Sequence, residues 1–197
     1  MDWSVGAITN HANRLGLSFG REATRATADA RQVDLTARRQ RIQERLLHAR
    51  RGPPGRSRHR PEIGAKCALT GGSWYSPYDD HYLDSASQLD VDHLVPLAEA
   101  WDSGASAWTP KEREAYANDL DDPRALIAVS AASNRSKADK DPTEWLPPYA
   151  GYWYTYVTDW VADKTRYQPS IDPAEQTALT EQLAACPDLP ITVTLAH

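Results

Sequence analysis

Four residues able to do chemistry stand in a fixed order in the middle of the chain. Asp92 and His93 lie in LDVDHLVPLAEAW at 89–101, and Asn134 and Lys137 lie in NRSK at 134–137. A carboxylate and an amide oxygen suit a hard cation such as magnesium, which completes its shell with waters and oxygens of a bound phosphate. An imidazole titrates near neutral pH and can take a proton from an attacking water, help that is typically worth about 10² to 10⁴ in rate. The cation would stabilise charge developing on a phosphate and its leaving oxygen. Lys137, three residues beyond Asn134, falls on the same side of a helix and could clamp the phosphate. The chemistry that unites these types is phosphodiester hydrolysis, with Asp92 and Asn134 as ligands of Mg or Mn and His93 as general base.

Singly, each residue has a plainer reading. A His beside an Asp is an ordinary surface pair, Asn134 alone would be a helix cap, and Asp90 a polar strand end. Arg135, Lys137 and Lys140 could form a solvated helix face. The order of the residues is what favours the sharper reading, because it requires a particular set of elements to position them.

Leu89 to Val95 alternates and reads as a strand, and Leu126 to Val129 as a second, buried strand. Between them Thr109, Pro110 and Glu112 supply an N-cap, a first-turn proline and a capping-box acid for a helix to about Leu120. Ser133 or a neighbour opens a short helix carrying NRSKADK, which stops before Pro142. The layout is strand, long loop, strand, helix, as in a ββα-metal site. Two further helices follow, Tyr152 to about Arg166 and one capped by Asp172 with Pro173 and Glu175 that runs to Cys186. They are expected to cover one face of the strands. Upstream, GGSWYSPYDD reads as a turn-rich entry segment.

With 197 residues the chain has room for one domain and an appendage. Seven Trp and nine Tyr against one Phe and one Met predict a core of amphipathic rings whose polar tips need partners. Trp74, Trp101, Trp108, Trp145 and Trp160 are read as core or interface residues. The formal charge of -5 conceals an asymmetry: residues 1–60 hold 13 Arg and 5 acids, and the remainder 9 basic residues and 22 acids. Every basic residue in 1–60 is Arg, and Lys first appears at Lys66. Gly52 to Pro61 reads as a linker. The arm before it has three readings: a nucleic-acid-attracting segment, a solvated or weakly helical tail, or a translation from a shifted frame or start.

LDVDHLVPLAEAWDSGA followed by VSAASNRSKADKDPTEWLPP resembles the HNH endonuclease superfamily. It is most similar to the bacterial HNH proteins related to the C-terminal domain of GmrSD-type restriction endonucleases. The resemblance spans roughly Cys67 to Cys186. It implies an α+β fold with a ββα-metal (HNH, or His-Me finger) core, to which the reading of the residues adds the extra C-terminal helices and a poorly structured or helical N-terminal arm. It implies that His93 is the base, Asp92 a metal ligand, Asn134 the residue at the final His or Asn position and Asp90 a supporting acid. Lys137 is then a phosphate contact beside Arg135, and the substrate is DNA, cut to leave a 5′ phosphate and a 3′ hydroxyl. The residues alone leave DNA and RNA open, as they do any recognition partner.

The chain departs from the family pattern at the middle Asn of HNH, which falls at Ala125 or Arg124. That Asn braces the catalytic loop, so its loss bears on the orientation of the His more than on metal binding. A catalytically degenerate nucleic-acid-binding module is the alternative reading. Relatives often carry more cysteines and look secreted, whereas here Trp153 stands about where a Cys is expected. Cys67 and Cys186 could form one disulfide or remain thiols. The expected organisation is an arm at 1–60, the HNH domain at 65–187 and a tail at 188–197. No apolar run reaches the roughly 18 residues of a membrane span. The sequence as it begins reads as cytoplasmic, and as secreted if the true N-terminus differs.

Overall fold

The computed structural model describes residues 62–63, 69–185 and 190–196. The arginine-rich arm, the Gly52–Pro61 linker and both cysteines lie outside the described residues. The architecture is mixed α+β. Its strands are β1 (Glu62–Ile63), β2 (Leu69–Thr70), β3 (Trp74–Ser76), β4 (His81–Leu83), β5 (Leu89–His93) and β6 (Leu126–Ser130). They pair antiparallel as β1–β2, β3–β4 and β5–β6. The helices are α1 (Leu97–Asp102), α2 (Pro110–Ala117), α3 (Ala131–Lys137), α4 (Trp153–Tyr167) and α5 (Pro173–Ala184).

The central hairpin pairs Leu89 with Ser130 and His93 with Leu126. Ser130 closes β6 and caps α3, its hydroxyl accepting from the Ser133 amide at 3.1 Å. Strand and helix therefore join without a loop, and α3 folds back onto β5. The Thr109–Glu112 capping box forms as the sequence predicts, although α2 ends at Ala117, short of Leu120. Asp172 caps α5 through the amides of Ala174 and Glu175. Helix α1 and the strand pairs β1–β2 and β3–β4 were not anticipated. LAEAWD, directly after Pro96, forms α1, and GGSWYSPYDD is no mere turn but the start of the β3–β4 hairpin.

The core is aromatic, with a polar partner for most ring tips. Tyr78, Tyr156 and Trp160 are fully buried, and Tyr78 packs its ring at 5.4–5.8 Å from those of Trp145, Tyr152 and Tyr156. Offset and edge-on contacts of this kind add about 0.5–1.5 kcal/mol per pair beyond the area they bury. Trp74 is buried as well, whereas Trp101, Trp108 and Trp145 are partly exposed. The β3–β4 turn is fastened to the central hairpin by the Ser130 amide donating to the Ser76 hydroxyl at 2.9 Å and by a Ser130–Asp79 side-chain bond.

Two buried ionic networks join the helices. Lys164 of α4 reaches Glu99 of α1 at 2.7 Å and Glu175 of α5 at 2.9 Å, and Glu175 also accepts from the Trp160 indole. Arg166 and Tyr167 hold Asp119, and Arg166 donates to the Thr194 carbonyl, docking the segment 190–196 against the end of α4. Asp163, beside this second network, is 3% exposed and its Oδ1 has no hydrogen-bond partner among the described residues.

Burial, then repulsion from Asp119 and Asp122, pushes the Asp163 carboxyl up to about 7, against the attraction of Arg166 and Arg124. An unfolded Asp ionises near pH 3.9, so between that pH and about 7 the unfolded chain ionises first and stability falls as pH rises. Asp163→Asn is expected to raise stability at pH 8 by on the order of 1–3 kcal/mol. The gain should shrink toward pH 4, as followed by urea unfolding across that range.

Candidate active site

Alternation along β5 sends Asp90 and Asp92 to the face covered by α3 and turns His93 the other way. Asp92 is buried, and its carboxylate accepts three bonds. Lys137 donates to both oxygens at 2.8 Å, and the Tyr78 hydroxyl donates to Oδ2 at 2.7 Å. Lys137 is fully buried, and its ammonium also donates to the His93 carbonyl at 2.7 Å. One lysine thus fixes the Asp92 side chain and the backbone of the next residue. Burial draws the Asp92 carboxyl up and the Lys137 amine down, and their mutual attraction opposes both shifts. A pair this deep is maintained only when its hydrogen bonds are complete.

Asn134, one helical turn before Lys137, donates its amide to Asp90 Oδ2 at 3.2 Å. Arg135 stands 3.6 Å from the same oxygen with its side chain 59% exposed. The α3 face therefore meets the β5 face residue for residue: Asn134 on Asp90, Lys137 on Asp92. The assembled donors are two carboxylates and an amide oxygen, all hard, which is the chemistry magnesium or manganese selects. Among the described residues no group of three His, Cys, Asp or Glu could hold a metal. A cation here would rest on Asp92 and Asn134, with waters and substrate oxygens filling the shell.

His93 Nε2 lies 2.9 Å from the Ala117 carbonyl at the end of α2. A carbonyl only accepts, so Nε2 carries the proton, and in the neutral ring the basic lone pair belongs to Nδ1. The strand exit is held by the Leu94 amide donating to the Ala125 carbonyl at 3.0 Å. A backbone bond thus braces this loop at Ala125.

Asp90, Asp92, Asn134 and Lys137 come together as their order implies, with Arg135 at the rim. His93 adjoins them through the backbone while its ring faces α2. The plain reading of Lys137 as part of a solvated helix face is corrected: the side chain is fully buried because Asp92 needs a counter-charge there. Asn134 caps no helix, a task that falls to Ser130. Tyr78 was missed, since nothing in SPYDD distinguishes a buried donor from a turn residue.

Residues 55–182 match the family model of GmrSD restriction endonucleases, C-terminal domain. The chain belongs to this family. It is also 46% identical over 125 residues to a protein of Arthroderma benhamiae described as an uncharacterized secreted protein, across 64% of this chain and 61% of that one. The present chain thus spans about three fifths of the length of that relative. No solved structure matches. Within this GmrSD-type domain, the side-chain contacts to the Asp92 carboxylate among the described residues come from Lys137, inside the stretch from Leu89 to Lys137, and from Tyr78 before it.

Two stability measurements probe the site. Lys137→Met strands a buried carboxylate and should cost about 3–5 kcal/mol. Tyr78→Phe removes one bond to a charged acceptor and should cost about 1.5–3 kcal/mol. Urea unfolding that found Lys137→Met within 1 kcal/mol of the parent would show that the pair does not organise the hairpin. Separately, Ala138 caps α3 at φ 53° and ψ −120°, a conformation that glycine adopts freely and alanine does not. Ala138→Gly should therefore stabilise the protein, by roughly 1 kcal/mol after the greater entropy of an unfolded glycine is counted. A lower melting temperature would contradict the assigned strain.

Proposed function

We propose that this domain is a metal-dependent HNH endonuclease that hydrolyses phosphodiester bonds of nucleic acid, with DNA the expected substrate. The observation that carries the reading is the residue-for-residue meeting of α3 with β5, which gathers Asp90, Asp92, Asn134 and Lys137 on one face of the strand and ties the His93 backbone to them through Lys137. A hairpin of antiparallel strands running directly into a helix packed upon it is the frame a ββα-metal site requires. Membership of a restriction endonuclease family supports a nuclease and a nucleic-acid partner.

In this reading Asp92 and Asn134 hold the divalent cation, Mg or Mn, which when bound stabilises charge on the phosphate and the leaving 3′ oxygen. His93 removes the proton from the attacking water through Nδ1, while Nε2–H goes on donating to the Ala117 carbonyl and fixes the ring. Attack forms the bond from water oxygen to phosphorus and breaks the bond to the 3′ oxygen, which takes a proton from solvent water, leaving a 5′ phosphate and a 3′ hydroxyl. Asp90 keeps Asn134 aligned. Arg135 is exposed enough to meet the backbone of a strand. The secreted description of the fungal relative supports an extracellular site of action for this chain too. No helix among the described residues is long and apolar enough to cross a membrane.

Supercoiled plasmid incubated with the full chain is expected to be nicked with magnesium or manganese and left intact with EDTA. His93→Ala should lower the rate by about 10² or more without changing the melting temperature. Cleavage at the parent rate by this variant would remove His93 from the mechanism. Plasmid binding without cleavage in any metal would establish the degenerate binding module instead.

A further inference from the structure

We infer that Lys137 determines the cation affinity of this site: its ammonium and a divalent cation compete for the Asp92 carboxylate, so that binding a cation releases Lys137 from the core. The inference rests on the assignment of Asp92 and Asn134 as ligands. A carboxylate has about four lone-pair positions. Lys137 takes one on each oxygen of Asp92 at 2.8 Å, and Tyr78 takes another on Oδ2 at 2.7 Å. A cation at the one remaining position, on Oδ1, would share that oxygen with a buried ammonium, so that one carboxylate charge would face two cationic groups. Repulsion in so poorly solvated a place is large, and the lysine is the mobile partner because its stem is flexible.

A second feature points the same way. Lys137 is the last residue of α3, and Ala138 directly after it holds the disfavoured positive-φ conformation, closed by the Lys140 amide donating to the Lys137 carbonyl at 3.1 Å. The buried pose of the lysine is thus bound to a strained turn. Departure of the side chain allows that turn to relax, which lowers the cost of release. Asn134 stays seated on Asp90 throughout, one turn earlier in the helix. Once freed, Lys137 lies at the end of α3 beside exposed Arg135, where its charge is available to a phosphate oxygen.

The test uses the full chain, both unsubstituted and as Asn134→Ala. Lysines are acetylated with an N-hydroxysuccinimide ester at rising manganese concentration, and modification at each lysine is read by mass spectrometry. Free manganese is followed in the same samples by electron paramagnetic resonance. Lys164, enclosed by Glu99 and Glu175, is the internal control. Metal-free protein should leave both Lys137 and Lys164 nearly unmodified. Saturating manganese should raise Lys137 modification at least fivefold and leave Lys164 unchanged, and Asn134→Ala should move the transition to higher manganese. If manganese binds, with binding weakened by Asn134→Ala, while Lys137 stays protected, the competition is overturned and the ligand assignment stands. If the folded protein binds no manganese, or binds it equally well after Asn134→Ala, the ligand assignment fails and the inference fails with it.

Discussion

The bond that the centre of this molecule depends on is the one between Asp92 and Lys137. A carboxylate on a strand between a helix and an aromatic cluster is removed from water, and the free-energy cost of that removal far exceeds what ordinary packing returns. It is tolerable only because Lys137 approaches from α3 and Tyr78 from the β3–β4 turn, each with a donor at hydrogen-bond distance. Three elements remote in sequence are thereby held to one point. The same ammonium grips the His93 carbonyl, so the strand end that carries the imidazole cannot shift without disturbing the pair. Aromatic packing around Tyr78 then keeps its hydroxyl aimed at the carboxylate.

What could be read in advance follows from the range over which each signal acts. Strands β5 and β6 and helix α3 were legible because alternation and capping are local, and because Asp92, His93, Asn134 and Lys137 stand in an order that makes sense only if those elements adjoin. The capping box at Thr109 and the Asp172 cap were legible for the same reason. Burial was not. Lys137 looks like any lysine on a polar helix, since its partner lies 45 residues earlier in the chain. Tyr78 sits among turn-forming residues whose local preferences hide a tertiary role. Helix α1 carries no side-chain cap, so the sequence announces neither its start nor its packing.

The acidity of the body also takes a different meaning in three dimensions. Counted along the chain, the carboxylates after residue 60 seem hostile to a polyanion. Many of them have work inside the protein: Asp92 with Lys137, Glu99 and Glu175 with Lys164, Asp119 with Arg166, and Asp122 with Arg124. Those charges are matched at close range and project little field into solvent. Net charge therefore understates how neutral the interior is. It says little about the α3 surface, where exposed Arg135 stands beside Asp90.

The inner pairs differ in one respect that bears on function. Lys164 is enclosed by two carboxylates, a hydroxyl and a backbone carbonyl contributed by surrounding helices and loops, so nothing is gained by moving it. Lys137 serves a single carboxylate at the very end of a helix, next to a residue in a disfavoured conformation. A buried charge held by one carboxylate and one backbone carbonyl, beside a strained neighbour, can change partners at smaller cost than one held by two carboxylates, a hydroxyl and a carbonyl. A hydrolytic centre must exchange water and phosphate in every cycle, so charges that contact them need to be exchangeable. In this fold the exchangeable lysine is placed at the candidate active site, and the enclosed one fastens the helices behind it.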